Sequence, residues 1–221
     1  GKRMSKQAEN LYNYYGLYDA GQLPFLYDLA KAQISLYDYT GAKLTYEKIL
    51  KISDINNSDS SSFYYNANLE LGSYYLNYTT NYKAADSIYS KYFDVFVLKE
   101  LHPYHPFYGK FLNDYALINT KQDDFTEAIT KYKRLAEIYK VKYGDQSEEY
   151  ALVLQRMARA QVDIGDYTSA EKNLISALTA YKTEKKTKTQ NYVYTLQAIG
   201  ELYAINGDFV NSKKKLEEAY A

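Results

Sequence analysis

The side chains that most often carry catalysis or bind metals are few in this sequence, and they form no recognised pattern. The two histidines stand in His102-Pro103-Tyr104-His105-Pro106, where the prolines preclude the regular helix that a zinc-binding His pair needs. Cysteine is absent, which excludes disulfides, thiolate metal sites and a cysteine nucleophile. No glycine-rich phosphate loop or Gly-x-Ser-x-Gly elbow occurs. The sequence therefore predicts no catalytic residue, no metal site and no cofactor.

The composition favours recognition by aromatic and amide groups over recognition by bulk charge. The chain has 29 tyrosines and no tryptophan, so many tyrosine rings must pack half-buried with the hydroxyl at an edge. Lys and Arg number 27, equal to Asp and Glu, so no global field attracts nucleic acid or an anionic membrane. No stretch reaches the roughly 18 to 20 apolar residues of a membrane span. We expect no nucleic-acid partner and no direct insertion into a membrane.

The elements that must position these side chains repeat along the chain every 42 or 43 residues. An aromatic residue follows a short polar turn five times, at Tyr39, Tyr82, Phe125, Tyr167 and Phe209. Small residues stand three positions later, at Ala42, Ala85, Ala128, Ala170 and Ser212. Large residues stand four positions after those, at Tyr46, Tyr89, Tyr132, Leu174 and Leu216. Small residues also stand nine positions before each aromatic, at Ala30, Ser73, Ala116, Ala158 and Gly200. The spacing predicts pairs of helices that approach closely at the small residues.

The turns between the paired helices contain glycine and aspartate in the last two units. Gly165 and Gly207 can adopt the left-handed conformation that ends a helix. Asp166 and Asp208 can cap the next helix, which stabilises a helix by about 1 kcal/mol. The first unit has Tyr37 where glycine is expected, and Gly72 in the second unit comes one residue early, which predicts a local insertion near Thr79-Thr80.

This pattern resembles the tetratricopeptide repeat family, in the long variety found in kinesin light chains and many bacterial repeat proteins. The resemblance rests on Leu196, Ile199-Gly200, Tyr203, Gly207, Phe209, Leu216 and Ala219, and in the preceding unit on Met157-Ala158, Gly165, Tyr167, Ala170, Leu174 and Ala177. It implies an all-α fold, a right-handed α-α superhelix (solenoid) of about five helix-turn-helix units.

The repeat period divides the chain into six predicted segments. Residues 1–22 form the second helix of a preceding repeat or an N-terminal cap, with the helix itself at 5–18. Five repeats follow, and the fifth ends without a capping helix, so we expect a segment of a longer array. The repeats span 23–65, 66–108, 109–150, 151–192 and 193–221.

The resemblance also implies a groove lined by the first helix of each pair, in which the family binds peptides. Amides at one groove position can hold a peptide backbone, because an amide both donates and accepts hydrogen bonds. Asn113, Gln155 and Gln197 match that position, whereas Tyr27 and Glu70 depart from it. The complete implied set is Tyr27, Lys31, Glu70, Tyr74, Tyr78, Lys110, Asn113, Leu117, Gln155, Arg159, Tyr194, Gln197 and Glu201, with Asn77 and Lys121 beside it.

The predicted function is a non-enzymatic scaffold that binds a protein or peptide segment in this groove. The alternative is an accessory or regulatory segment of a larger enzyme or signalling protein, which rests on family analogy alone. Self-association through uncapped repeat ends is a third hypothesis. The richness in Tyr, Asn and Lys is typical of a bacterium with an AT-rich genome. Bacterial cytoplasm and export to the periplasm both remain open.

Overall fold

The computed structural model describes residues 19–56, 62–98, 106–185 and 187–220, together with Lys6. These residues contain ten α-helices and no strand, preceded by a 3-10 turn, Ala20–Gln22. No helix in this part of the chain is long and apolar enough to cross a bilayer. The predicted all-α repeat class is confirmed. The helices are α1 Leu23–Ser35, α2 Tyr39–Ile55, α3 Ser62–Asn77, α4 Tyr82–Leu98, α5 Pro106–Lys121, α6 Phe125–Tyr143, α7 Glu148–Asp163, α8 Tyr167–Thr183, α9 Gln190–Ile205 and α10 Phe209–Tyr220.

The helices pack in chain order within two compact units, Gly1–Phe93 and Asp94–Ala221. In the first unit α1 packs on α2 and α2 on α3, and in the second each helix from α5 to α9 packs on the next. The odd-numbered helices are the first helices of the pairs, and the even-numbered ones are the second helices. First helices also touch each other, α1 with α3 and α7 with α9. The six predicted segments stay a prediction, and the helix predicted at 5–18 lies outside the described residues.

The five aromatics of the sequence repeat are the first residues of the five second helices. The residue two positions before each aromatic has a positive φ, namely Tyr37 (61°), Thr80 (51°), Asp123 (62°), Gly165 (78°) and Gly207 (78°). The predicted left-handed conformation of Gly165 and Gly207 is confirmed. The same backbone shape occurs in the other three turns without glycine, because the helix pairs demand it whatever side chain is present.

A side-chain oxygen caps each second helix from the position just before the aromatic. Asp166 Oδ1 accepts from Ser169 N at 3.1 Å, and Asp208 Oδ1 accepts from Asn211 N at 3.1 Å, as predicted. The same bond occurs in the other turns, at 3.0 to 3.4 Å, with Asp38, Asn81 and Asp124 as acceptors. Each cap satisfies an amide that the helix itself leaves without a partner.

The turn between α3 and α4 is one residue longer than the others, as Gly72 predicted. In the four regular turns the cap residue's N–H donates to the carbonyl five residues back, as Asp166 does to Gln161 at 2.8 Å. Asn81 N instead donates to Tyr75 O, six residues back, at 3.0 Å. Gly72 therefore makes the close helix approach in this pair, with the Tyr89 ring where a Cβ would stand. Gly200 lies against Leu216 in the same way.

The small and large columns of the repeat form the core. Ala30, Ala116 and Ala158 on the first helices are fully buried. The large side chains of the second helices are also buried, among them Tyr46, Tyr89, Tyr132 and Leu174. Burying an aromatic or leucine side chain stabilises a fold by about 1.5–3 kcal/mol. The repeat columns are therefore the packing layer that holds successive helices in place and turns the remaining first-helix side chains outward.

Candidate functional site

Each of the thirteen side chains implied for the groove is exposed or half-buried. Arg159 and Glu201 are exposed, and Asn113, Gln155 and Gln197 are half-buried on the first helices α5, α7 and α9. A side chain must be accessible before it can contact a partner, and none of the thirteen is fully buried. Whether these residues bind a peptide stays a prediction.

On the first unit, Tyr27 is held by packing. Its ring lies 6.3 Å from the Tyr46 ring and 6.1 Å from the Phe63 ring, both measured between centroids. Burial raises the pKa of Tyr27 to about 12, and the nearby negative charge of Glu70 adds to the rise. Lys31 Nζ lies 5.7 Å from the centre of the Tyr27 ring. The side chains of α1 and α3 thus meet at this face, with Tyr27 as a structural element and Lys31 exposed beside it.

Tyr74 and Tyr78, two other candidates of the first unit, belong to a tyrosine cluster, which we define as Tyr37, Tyr39, Tyr74, Tyr75 and Tyr78. Tyr39 stacks on Tyr78 with ring centroids 3.9 Å apart, and Tyr74 lies 6.0 Å from Tyr78. Tyr37 is 80% exposed and Tyr78 is 46% exposed. The sequence predicted Tyr74 and Tyr78 as candidates but did not predict the stacking of Tyr78 on Tyr39 of α2.

On the second unit, Asn113 is already engaged by a neighbouring helix. Its amide oxygen accepts a hydrogen bond from Arg156 Nη1 on α7, and its amide nitrogen donates to Asp114 Oδ1 at 3.1 Å. Asn113 is thereby fixed in orientation and retains only part of its hydrogen-bonding capacity for a ligand. This contact ties the first helices α5 and α7 together at the candidate face.

Arg156 is a residue that the sequence reasoning missed. It lies among Asp114, Tyr132 and Tyr139, and its positive charge opposes the rise in pKa that burial causes in both tyrosines. Asp114 is only 8% exposed, and a buried carboxylate requires a nearby cation or hydrogen-bond donors. The burial of Asp114 is a property of the folded structure, so the sequence carried no signal for Arg156. Arg156 therefore holds the Asn113 side chain in its orientation through their hydrogen bond.

Three further candidates of the second unit are Gln155, Arg159 and Tyr194. Gln155 is half-buried, and its Oε1 has no hydrogen-bond partner among the described residues. Tyr194 is 48% exposed, and its hydroxyl accepts from Gln190 of the same helix. Arg159 is exposed one turn of α7 beyond Gln155. The Arg159 guanidinium and the Tyr194 phenol thus lie on the exposed side of α7 and α9, whereas the amide oxygen of Gln155 is buried.

The described residues contain no group of three or more His, Asp or Glu side chains that could hold a metal ion. His102 and His105 lie outside the described residues, and so does most of the polar connector at 58–62. The hydrogen bonds of Asn113 and Tyr194 orient these side chains. The accessible polar groups of the candidate residues suit non-covalent recognition of a ligand.

Residues 107–183 match the model of the tetratricopeptide repeat family. No curated protein sequence gives a significant match to this chain. Solved structures of similar fold include BtubC (BKLC) from P. vanneervenii, with a TM-score of 0.76 and 16% identity over 99% of this chain and 86% of that one. The kinesin-light-chain-like TPR repeats of Podosopora anserina give a TM-score of 0.76 and 14% identity, over 91% of this chain and 95% of that one.

A third similar structure is YrrB, described as a TPR protein with an unusual peptide-binding site. Its TM-score is 0.60, with 15% identity over 88% of this chain and 82% of that one. At such low identities these likenesses establish the fold alone. They agree with the helix pairs and turns described above.

Proposed function

We propose that this chain, whose residues 107–183 match the tetratricopeptide repeat family and whose fold is similar to that of such repeat proteins, binds an extended peptide segment along its first helices. Repeat proteins of this type are typically non-catalytic scaffolds that bind other proteins. In this chain the binding face is that of the first helices, and the ligand is an extended peptide.

The observation that carries the proposal is a row of amides at equivalent positions of three first helices. Asn113, Gln155 and Gln197 follow one another at intervals of 42 residues, and all three are half-buried. Each peptide unit of an extended ligand offers one donor and one acceptor, which is what an amide side chain complements. A row of amides therefore recognises peptide backbone with little dependence on ligand sequence.

Arg159 and Tyr194 are the proposed anchors beside this row. Both are exposed, and Arg and Tyr are enriched among the residues that carry binding energy in protein interfaces. Truncating such an anchor costs about 2 kcal/mol or more. The anchors would select among ligand side chains, while the amides hold the backbone.

The test is a random peptide library selected on the wild-type protein, followed by affinity measurements on variants. Arg159→Ala/Tyr194→Ala is expected to raise the Kd of selected peptides more than about tenfold. The matched control is Val141→Ala/Val210→Ala, which truncates two exposed side chains on second helices and should leave the Kd unchanged. Circular dichroism verifies that every variant stays helical.

Peptides that bind both double variants as tightly as wild type would refute the proposed face. Failure to select any peptide would favour the alternative, in which the chain is an accessory segment of a larger enzyme or signalling protein.

A further inference from the structure

A cleft of about 410 Å³ lies on the second unit, lined by residues of α6, α7 and α8 and of the turn between α7 and α8. Its volume is within the roughly 300–1,000 Å³ of ligand-binding clefts. Its floor includes Ile129 and Met157, with Ile164 at the end of α7. Thr130 and Ser169 contribute hydroxyl groups to the walls. The cleft therefore offers both apolar and hydrogen-bonding surface.

Two lysines face this cleft without an ion-pair partner. Lys133 on α6 and Lys172 on α8 both line it, and neither forms a salt bridge with any described residue. Other lysines of the same unit do form such pairs, for example Lys131 with Glu127 at 2.8 Å and Lys182 with Glu218 at 3.3 Å. The cleft thus carries two positive charges, one from each wall.

Asp166 is the single carboxylate among the residues that line the cleft, and it already has a role. Its Oδ1 accepts the Ser169 N–H and caps α8. The lining side chains therefore carry a net charge of +1. Charge complementarity calls for an anionic occupant.

This cleft lies on a different face from the amide row. Met157 and Gln161 line the cleft, whereas Gln155 and Arg159 point away from it on the same helix. Two residues along an α-helix correspond to a rotation of about 200°, so the two pairs occupy opposite sides of α7. A ligand in the cleft and a peptide on the first helices would not compete for space.

We propose that this cleft binds an acidic stretch of a partner polypeptide, as a second docking surface separate from the proposed function. Carboxylates of the stretch pair with Lys133 and Lys172, and an apolar side chain rests on Met157 and Ile164. The Thr130 hydroxyl donates to Thr126 O at 3.1 Å and still has lone pairs to accept a peptide N–H. A small inorganic anion would neutralise the lysines but leave the apolar floor bare, which is why a polypeptide fits better.

The test uses a fluorescein-labelled oligoglutamate peptide and an oligoglutamine peptide of equal length, with fluorescence anisotropy as the readout. Wild-type protein is expected to bind oligoglutamate more tightly than oligoglutamine, and salt should weaken the binding. Lys133→Glu/Lys172→Glu is expected to weaken oligoglutamate binding by roughly tenfold or more.

The matched control is Lys188→Glu/Lys214→Glu, which makes the same change in net charge at two exposed lysines outside the cleft. This control should bind oligoglutamate within about twofold of wild type. Equal losses in both double variants would overturn the proposal, because they would show attraction to overall charge. Equal binding of oligoglutamate and oligoglutamine would also overturn it, and so would competition by a single-stranded oligonucleotide as strong as that by oligoglutamate.

Discussion

At the scale of single residues, a side-chain hydrogen bond recurs between the two helices of a pair. Thr45 Oγ1 donates to Gln33 Oε1 at 2.8 Å in the first pair. Asn173 Nδ2 donates to Gln161 Oε1 at 2.7 Å at the equivalent positions of α7 and α8. Both bonds are part-buried, so each removes an amide oxygen from water and satisfies it at once.

The pair formed by α5 and α6 lacks this bond because its first helix carries a shorter amide. Asn119 occupies the position of Gln161, and Lys131 that of Asn173. Asn119 Oδ1 is buried and has no hydrogen-bond partner among the described residues. Lys131 is only 4% exposed and bonds Glu127 within its own helix. Both positions of the bond therefore carry different side chains in this pair from those of the other two.

Asn119→Gln is therefore expected to stabilise the protein by about 1 kcal/mol, because the longer amide can accept a hydrogen bond from Lys131 and satisfy a buried oxygen. Urea unfolding monitored by circular dichroism measures the change. The reciprocal variant, Gln161→Asn, should destabilise by a similar amount, since it leaves the Asn173 amide without its acceptor. Equal destabilisation by both variants would contradict the argument and point to tight packing around Asn119.

The capping roles of individual residues could be predicted from the sequence. The side-chain contacts at the candidate site could be predicted only in part. The Gly-Asp pairs at 165–166 and 207–208 have one local role each, which depends on residues within a single turn. The Arg156–Asn113 bond joins residues 43 apart, so the sequence alone does not select Arg156 over Arg159. The conformation of a turn can be predicted from one short segment of the sequence. A contact between two helices also depends on how the two segments are placed relative to each other.

At the scale of elements, the five turns share one backbone shape but not one residue type. Thr80 has a φ of 51° in the turn between α3 and α4, a conformation that a β-branched side chain tolerates poorly. Its hydroxyl donates to Thr79 O at 2.8 Å, which offsets part of the strain. The equivalent residues of the last two turns are Gly165 and Gly207. The α3–α4 turn is thus both the longest and the most strained of the five.

Thr80→Gly is expected to stabilise the protein by about 0.5–1 kcal/mol. The left-handed conformation costs a β-branched residue about 1–2 kcal/mol, and the added freedom of glycine in the unfolded chain cancels part of that gain. Thr79→Gly is the control, because Thr79 Oγ1 bonds both Tyr75 O and Asn81 N. The control should be destabilised. Urea midpoints that fall for both variants would show that Thr80 is unstrained.

The element boundaries followed from the sequence wherever a repeat column marked them. The aromatic column predicted where each second helix begins, since the turn before it supplies a cap and a left-handed residue in every unit. The insertion near Thr79-Thr80 was also predictable, from the early position of Gly72. The contact between Tyr39 and Tyr78 was not predictable, because it joins a residue of α2 to one at the end of α3, 39 positions later in the chain.

At the scale of the whole molecule, tyrosine burial couples folding to alkaline pH. Burial raises the pKa of Tyr27 and of Tyr181 to about 12, and burial also raises the pKa values of Tyr46, Tyr92 and Tyr132. The ordinary tyrosine pKa is about 10. A raised pKa means that the folded state binds the phenolic proton more tightly than the unfolded state does. The resulting stabilisation is complete below about pH 10 and is lost as the pH rises through about 12.

We expect the helical signal to collapse cooperatively between pH 10 and 12, together with ionisation of the buried tyrosines. Tyrosinate absorbance is a clean readout because the chain has 29 tyrosines and no tryptophan. Circular dichroism recorded on the same samples reports the helices. The control is a titration in concentrated urea, where all tyrosines should ionise near pH 10. Complete ionisation near pH 10 with the helices intact would refute the coupling.

The fold of this molecule could be predicted from sequence further than its binding surfaces could. Each repeat column shows the same type of side chain at the same packing position in several units. A chance match at one position therefore has little effect on the prediction of the fold. The cleft between α6 and α8 has no such repetition: the equivalent of Lys133 in the next second helix is Ile175. A surface that occurs once in an array leaves no periodic signal, and only the folded arrangement brings its residues together.

Packing in chain order has a consequence for how the protein is made. Each helix from α5 to α9 packs on the helix that follows it directly in the chain. Few contacts therefore depend on residues that are distant in the sequence. Folds dominated by such local contacts assemble in microseconds to milliseconds, far faster than synthesis at about 5–20 residues per second. The helix pairs can therefore form one after another as they leave the ribosome, and the amide row grows by one position each time a new first helix docks.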